Sequence, residues 1–281
     1  MILVTGAGGK TGKAVIRALD QAGQPVRAWL RRTEQVEEIP ETDSIVGDME
    51  DAALWRRACR NVEALYLICP NMHASELEIS RKALRAAQAA GVSRFVYHSV
   101  LHPQTADMPH HWQKLRVEEM IFRSGLPFTI LQPCAYMQNI LAFRSAIARA
   151  GKYLVPYDVR ARFALVDLED VAQAAACALT KSGHNSAIYE LAGPDNLSST
   201  EIAQHLSDHL QRPVEAVRMP LERWRRTAEE SGSPAATIES LAAMFRYYNA
   251  YGLAGNGNVL GWLLGRRPTS LAQFLERSYP V

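Results

Sequence analysis

The stretch Ile2-Leu3-Val4-Thr5-Gly6-Ala7-Gly8-Gly9-Lys10-Thr11-Gly12 decides the fold. Three apolar residues run into glycines at positions 6, 9 and 12, and the amphipathic segment Lys13–Ala22 follows. A strand that turns over glycines into a helix opens a βαβ unit. The first glycine permits the tight turn, the second lets backbone approach a pyrophosphate, and the third lets the helix pack closely on the strand. The helix N-terminus adds oriented N–H groups and the positive end of its dipole. The competing reading is an ordinary Gly-rich turn, but the position between strand and helix argues for a dinucleotide held by Thr5, Gly6, Gly8, Gly9, Lys10, Thr11 and Gly12.

Outward from this loop, the same rhythm repeats. Val26–Leu30, Ala64–Ile68, Phe95–Ser99 and Phe128–Leu131 are short, apolar and bounded by Gly, Pro or charge, which predicts buried parallel strands. Between them Ser75–Ala90 repeats apolar residues at three and four positions, and Gly91 and Gly125 supply helix stops. Alternating strands and helices mean an α/β fold, a doubly wound parallel sheet. Beyond about residue 150, Phe163–Val166 and Ala187–Leu191 read as further strands around a helix over Glu169–Thr180. Ser198 and Glu201 fit a capping box for a helix to Leu210. From Pro220 to Leu264 the chain is helical and aromatic. The expected organisation is a dinucleotide-binding domain over 1–150, to which segments of 160–195 return, and a smaller, mainly helical substrate lobe over 151–281.

Composition narrows the function without naming it. The 281 residues are 48% hydrophobic and 21% charged, and Lys+Arg 31 against Asp+Glu 29 leaves a net charge of +2. That balance offers no footprint for nucleic acid or an anionic membrane. No apolar run approaches the ~18 residues that span a bilayer, and the N-terminus lacks the basic and apolar regions of a signal peptide. Cys59, Cys69, Cys134 and Cys177 are scattered without a CxxC pair, so no metal site is expected, and the thiols read as reduced in a cytoplasmic chain.

The end of the second strand bears on the choice of dinucleotide. An NAD-binding fold usually places Asp or Glu there to hold the ribose hydroxyls. This chain has Arg31 and Arg32, whose guanidinium groups grip a 2′-phosphate and so favour NADP(H). A solvated strand end is the bland alternative. Asp48, in Gly47-Asp48-Met49, could accept a hydrogen bond from the adenine amino group or be a solvated turn residue. The carboxyl ends Cys69-Pro70, His98-Ser99 and Gln132-Pro133 should surround the nicotinamide half, with Tyr136, Met137 and Asn139 lining a substrate pocket. Trp224, Phe245 and Tyr248 could wall a flat apolar substrate, although aromatics spaced on helices are commonly core.

These motifs, together with residues 124–139, Asp167 to Asp170 and the segment from Leu264, resemble the NmrA-like branch of the atypical short-chain dehydrogenases/reductases over nearly the whole chain. The resemblance implies an NADP(H)-binding Rossmann domain and a substrate lobe. It leaves the activity open, since the family holds quinone, triphenylmethane-dye and azo reductases as well as cofactor-sensing regulators. The superfamily's usual engine is a Ser with a Tyr-xxx-Lys pair. By that resemblance Ser99 matches the serine and Lys114 the ribose-holding lysine, whereas His110 stands in the tyrosine's place. An imidazole can move protons near neutral pH, so His110, Lys114 and Tyr136 are the catalytic candidates.

The expected activity is an NADPH-dependent reductase of quinones or similar flat, conjugated acceptors. The alternative is a non-catalytic NADP(H) redox sensor acting through a protein partner. A nucleotide-sugar epimerase is disfavoured because the Tyr is missing. A homodimer is left open. Replacing Arg31 and Arg32 with Ala should weaken NADPH binding far more than NADH binding, measured by fluorescence titration; equal losses would refute the phosphate assignment.

Overall fold

The computed structural model describes residues 1–39 and 42–279. The chain opens β1 (Ile2–Val4), α1 (Lys10–Gln21), β2 (Val26–Leu30), β3 (Asp43–Val46), α2 (Ala52–Ala58), β4 (Ala64–Leu67), α3 (Glu76–Ala90) and β5 (Arg94–His98). It continues α4 (Pro109–Phe122), β6 (Phe128–Pro133), β7 (Ala135–Tyr136), α5 (Arg144–Ala150), β8 (Lys152–Val155), β9 (Arg162–Val166) and α6 (Leu168–Thr180). The last elements are β10 (Ala187–Leu191), β11 (Asn196–Ser198), α7 (Ser199–Leu210), β12 (Glu215–Arg218), α8 (Leu221–Glu230), α9 (Ala235–Tyr251), α10 (Gly257–Leu264) and α11 (Leu271–Ser278).

Two compact units are built from interleaved segments. The first comprises residues 1–104, 113–133 and 168–189; the second comprises 105–112, 134–167 and 190–281. The seven-stranded sheet runs β10-β6-β5-β4-β1-β2-β3, with β1 parallel to both β2 and β4 and the order reversing between them. β2–β3, β4–β5 and β5–β6 are parallel as well. This is the doubly wound α/β sheet expected from the alternating apolar runs. Strands buried on both faces need near-continuous hydrophobic sequence, and β1 and β4 are buried throughout. Leu3, Trp29, Leu65, Phe95 and Tyr97 enter one core with Trp55 of α2, Ile79 of α3 and Val117 of α4. Helices α1 and α6 pack against each other.

The second unit carries two small sheets, β11-β9-β7 and β12-β8, besides its helices. Its core gathers Met137, Ile140, Leu165, Leu206 and Phe274. The capping box opens α7 as the spacing predicts: Ser198 Oγ accepts from Glu201 N at 3.2 Å, and the Glu201 carboxylate accepts from Ser198 N at 2.7 Å. Asp167 is wholly buried at the end of β9 and is held by Arg277 Nη2 at 2.6 Å and Gln138 Nε2 at 2.7 Å. No helix among the described residues is long and apolar enough to cross a membrane.

The α1 start is set by steric room. A Cβ on Gly12 would lie 2.4 Å from the Gly6 carbonyl oxygen and 2.6 Å from Ala7 Cα, both backbone atoms with little freedom to retreat. Gly12→Ala should therefore destabilise the protein by about 1–3 kcal/mol, read as a lower urea midpoint; an unchanged midpoint would show that α1 does not need this contact.

Candidate active site

In the first unit, the turn after β1 is locked from below. Thr5 is fully buried, its hydroxyl donating to the Ile68 carbonyl at 3.0 Å and accepting from Ile68 N at 2.8 Å, so β1 and β4 end in register. Gly6 has φ +58°, a left-handed conformation that favours glycine. Gly9 caps α1 and brings no side-chain acceptor to its first turn. Lys10 and Thr11 belong to that turn, so helix α1 starts inside the glycine motif, ahead of the segment Lys13–Ala22.

Beside this loop is a small cleft of about 90 Å³ bordered by Gly6, Arg31, Gly47, Asp48, Pro70 and His73. It lies along the carboxyl ends of β1 to β4, where the strand order reverses and doubly wound sheets bind ligands. Four of the residues singled out by motif thus meet here: Gly6, Arg31, Asp48 and Pro70. Arg32 is exposed beside Arg31. Gln35 ties them together, because its Oε1 accepts from both Arg31 N and Arg32 N at 3.1 Å. Sequence reasoning missed Gln35, which sits in a polar stretch with nothing to mark it. Asp48 accepts from Glu50 N at 2.9 Å, a turn contact.

These features fit a dinucleotide. A glycine turn in left-handed conformation, a helix start without a side-chain cap, two arginines and no acid directly after β2 suit a phosphorylated ribose and a pyrophosphate.

Lys114 and Ser99 occupy a polar network in the same unit. Lys114 Nζ donates to Glu76 Oε1 at 2.7 Å and to the His98 carbonyl at 3.2 Å, and lies 5.3 Å from the centre of the Tyr97 ring. Tyr97 donates to the same Glu76 oxygen at 2.8 Å. Burial, reinforced by Glu76, holds the Tyr97 phenol well above its ordinary pKa, so it stays a donor. Ser99 donates to Glu118, which also accepts from Gln132 at 2.9 Å. Burial pushes Glu118 up despite those two bonds. His98 is driven down to about 3, by burial and then by Lys114, and accepts or donates to Tyr66 OH as a neutral ring. Glu76 and Glu118 carry no sequence signal. Glu76 reads as an ordinary first-turn acid, and Glu118 as one of several charges on α4.

Cys69 and Pro133 are buried. The Cys69 thiol faces Ser80 Oγ at 3.7 Å, and Pro133 gives its carbonyl to Leu101 N at 2.9 Å.

In the second unit, His110 is 9% exposed, with Nδ1 3.4 Å from Ser240 Oγ and its ring edge-on to His111 at 4.5 Å. Tyr136 is half-buried at the end of β7, Met137 is in the core, and Asn139 is exposed. Trp224 packs edge-on against Phe245 at 4.8 Å, and Tyr157 lies within 6 Å of both Phe245 and Tyr248. Tyr157 and Phe163, which meets Tyr248 at 5.0 Å, complete the aromatic group and were not foreseen. Among the described residues no cluster of His, Cys, Asp and Glu could hold a metal ion.

Residues 1–278 match the NmrA-like family. The chain belongs to that family. It is similar to the NAD(P)H azoreductase of Xenophilus azovorans, 27% identical over 280 residues, covering 98% of this chain and 97% of the relative. It is 35% identical over 218 residues to the (4-alkanoyl-5-oxo-2,5-dihydrofuran-3-yl)methyl phosphate reductase of Streptomyces griseus, covering 76% of this chain and 75% of that one. Among solved structures, the Escherichia coli NADPH-dependent quinone oxidoreductase QOR2 complexed with NADPH superposes with a TM-score of 0.88 at 26% identity, over 100% of both chains.

The thiols of this NmrA-like protein should differ sharply in reactivity. Burial pushes Cys59 up to about 11 and Cys69 and Cys134 up to about 12, while Cys177 is only half-buried. Iodoacetamide at neutral pH should label Cys177 first in the native protein, followed by peptide mass spectrometry; early labelling of Cys69 would contradict the buried placement.

Proposed function

We propose that this NAD(P)H-dependent oxidoreductase uses NADPH to reduce a quinone or a similarly flat, conjugated acceptor. The observation that carries the reading is the glycine-floored cleft of the first unit, with Arg31 on its border and Arg32 beside it. In this reading the two guanidinium groups pair with the 2′-phosphate. The first-turn amides of α1 face the pyrophosphate, and Asp48 accepts from the adenine amino group. NADPH, when bound, supplies the hydride. Lys114 and Ser99 hold the nicotinamide half, with Pro70 and Pro133 forming its surroundings.

The kinship with an azoreductase and a quinone oxidoreductase supports a small aromatic acceptor. Tyr136, Asn139 and the aromatic group of Trp224, Phe245 and Tyr248 are the residues assigned to hold it, with Met137 supporting them from the core. Apolar aromatic walls with a few polar groups are typical of such sites. Reduction of a quinone takes one hydride and one proton. Its product anion is already stabilised by conjugation, so the hydride step needs little acid help and the missing Tyr costs little. His110, anchored by Ser240, is assigned to deliver the proton.

The test is NADPH oxidation by the purified protein across quinones, azo and triphenylmethane dyes, and small carbonyls. Saturable turnover with quinones or dyes is expected. Tight NADPH binding without turnover on any acceptor would replace this reading with that of a redox sensor. His110→Phe should lower kcat while leaving the Kd for NADPH at the wild-type value; unchanged kcat would make the histidine a bystander.

A further inference from the structure

We propose that Glu76 is a positioning residue, acting through Lys114 to set both the direction and the net charge of the group offered to the nicotinamide half of the cofactor. The inference rests on the reading of Lys114 given above. Glu76 is the first residue of α3 and only 1% exposed, and the Lys114 side chain is 13% exposed. An ammonium has three N–H donors. Two are spoken for, by Glu76 Oε1 at 2.7 Å and the His98 carbonyl at 3.2 Å, and the Tyr97 ring borders the amine at 5.3 Å. These contacts from α3 and β5 fix the Nζ position and leave one donor to point at a ribose hydroxyl. The Tyr97 hydroxyl, donating to the same Oε1 at 2.8 Å, fixes the carboxylate in turn.

Stability alone does not account for the pair. Buried ion pairs can often be replaced by well-packed apolar residues with no loss of stability. What an apolar pair could not do is present a charged amine at a fixed point with its charge balanced. The oxidised cofactor carries a positive nicotinamide ring, and an unbalanced Lys114 would repel it while leaving the reduced form unaffected. Glu76 removes that bias, so that product and substrate cofactor are held on comparable terms.

Glu76→Gln keeps the shape and an accepting oxygen while removing the charge. It should raise the ratio of the NADP+ Kd to the NADPH Kd by roughly tenfold, as expected for one uncompensated charge near a cationic ring. Lys114→Met removes the opposing charge and should weaken both forms without raising the ratio, a contrast that a merely structural carboxylate would not produce. Should Glu76→Gln fail to fold by circular dichroism, Glu76→Asp keeps the charge and should retain the wild-type ratio while binding both forms several-fold more weakly. An unchanged ratio in folded Glu76→Gln, a ratio raised by Lys114→Met, or a ratio altered in Glu76→Asp overturns the proposal. If Lys114→Met alone leaves both Kd values at wild type, the ribose-holding reading of Lys114 fails and this inference falls with it. Absence of NADPH binding by the wild type refutes the cofactor assignment itself.

Discussion

Helix α1 starts where it does because Gly12 has no side chain. Its Cα packs on the backbone of the Gly6–Ala7 turn, at a distance where a Cβ would overlap the Gly6 carbonyl. That approach brings the helix start against the end of β1, and Thr5 ties β1 to the end of β4 through the Ile68 backbone. The strand order reverses between β1 and β4. The cleft of the first unit follows from these two constraints: a turn held down by a buried hydroxyl, and a helix that backbone sterics allow to begin beside it.

Charge placement is the second theme of the first unit. The arginines after β2 are exposed, and their backbone N–H groups are gathered by one amide oxygen, that of Gln35. Exposed charge is cheap to keep in water and available to an anionic ligand. The inner network is of the opposite kind. Lys114, Glu76, Tyr97, Ser99, Glu118 and Gln132 are tucked between β5, β6, α3 and α4, where every polar atom must find a partner. Burial there drives His98 down and holds Tyr97 and Glu118 up.

Much of this is legible in the sequence. TGxxGxxG between an apolar run and an amphipathic run has one common structural use, and the alternation of short apolar runs with helix-like segments specifies a doubly wound sheet. The predicted strands match within two residues: β4 ends at Leu67 where the pattern suggests Ile68, β5 begins at Arg94, and β6 runs on to Pro133. The small strands β7, β8, β11 and β12 have no sequence signal, because two to four residues of mixed polarity carry too little periodicity to stand out. The capping box at Ser198 and Glu201 was readable because its hydrogen bonds are local, closing within three residues.

By itself, then, the sequence determined what depends on neighbours along the chain: the glycine turn, the absence of an acid after β2, the element order and the caps. Only the tertiary structure decided what depends on residues brought together from afar. Glu76 meets Lys114 across 38 positions, Ser99 meets Glu118 across 19, and Arg277 reaches Asp167 across 110. Met137, expected to line a pocket, lies in the core of the second unit, and Cys69 is sealed beside Ser80. The reason is physical. A side chain's spacing in sequence settles the face of the strand or helix it occupies, but burial, charge pairing and proton affinity are set by what packs against that face, and no local pattern carries that information.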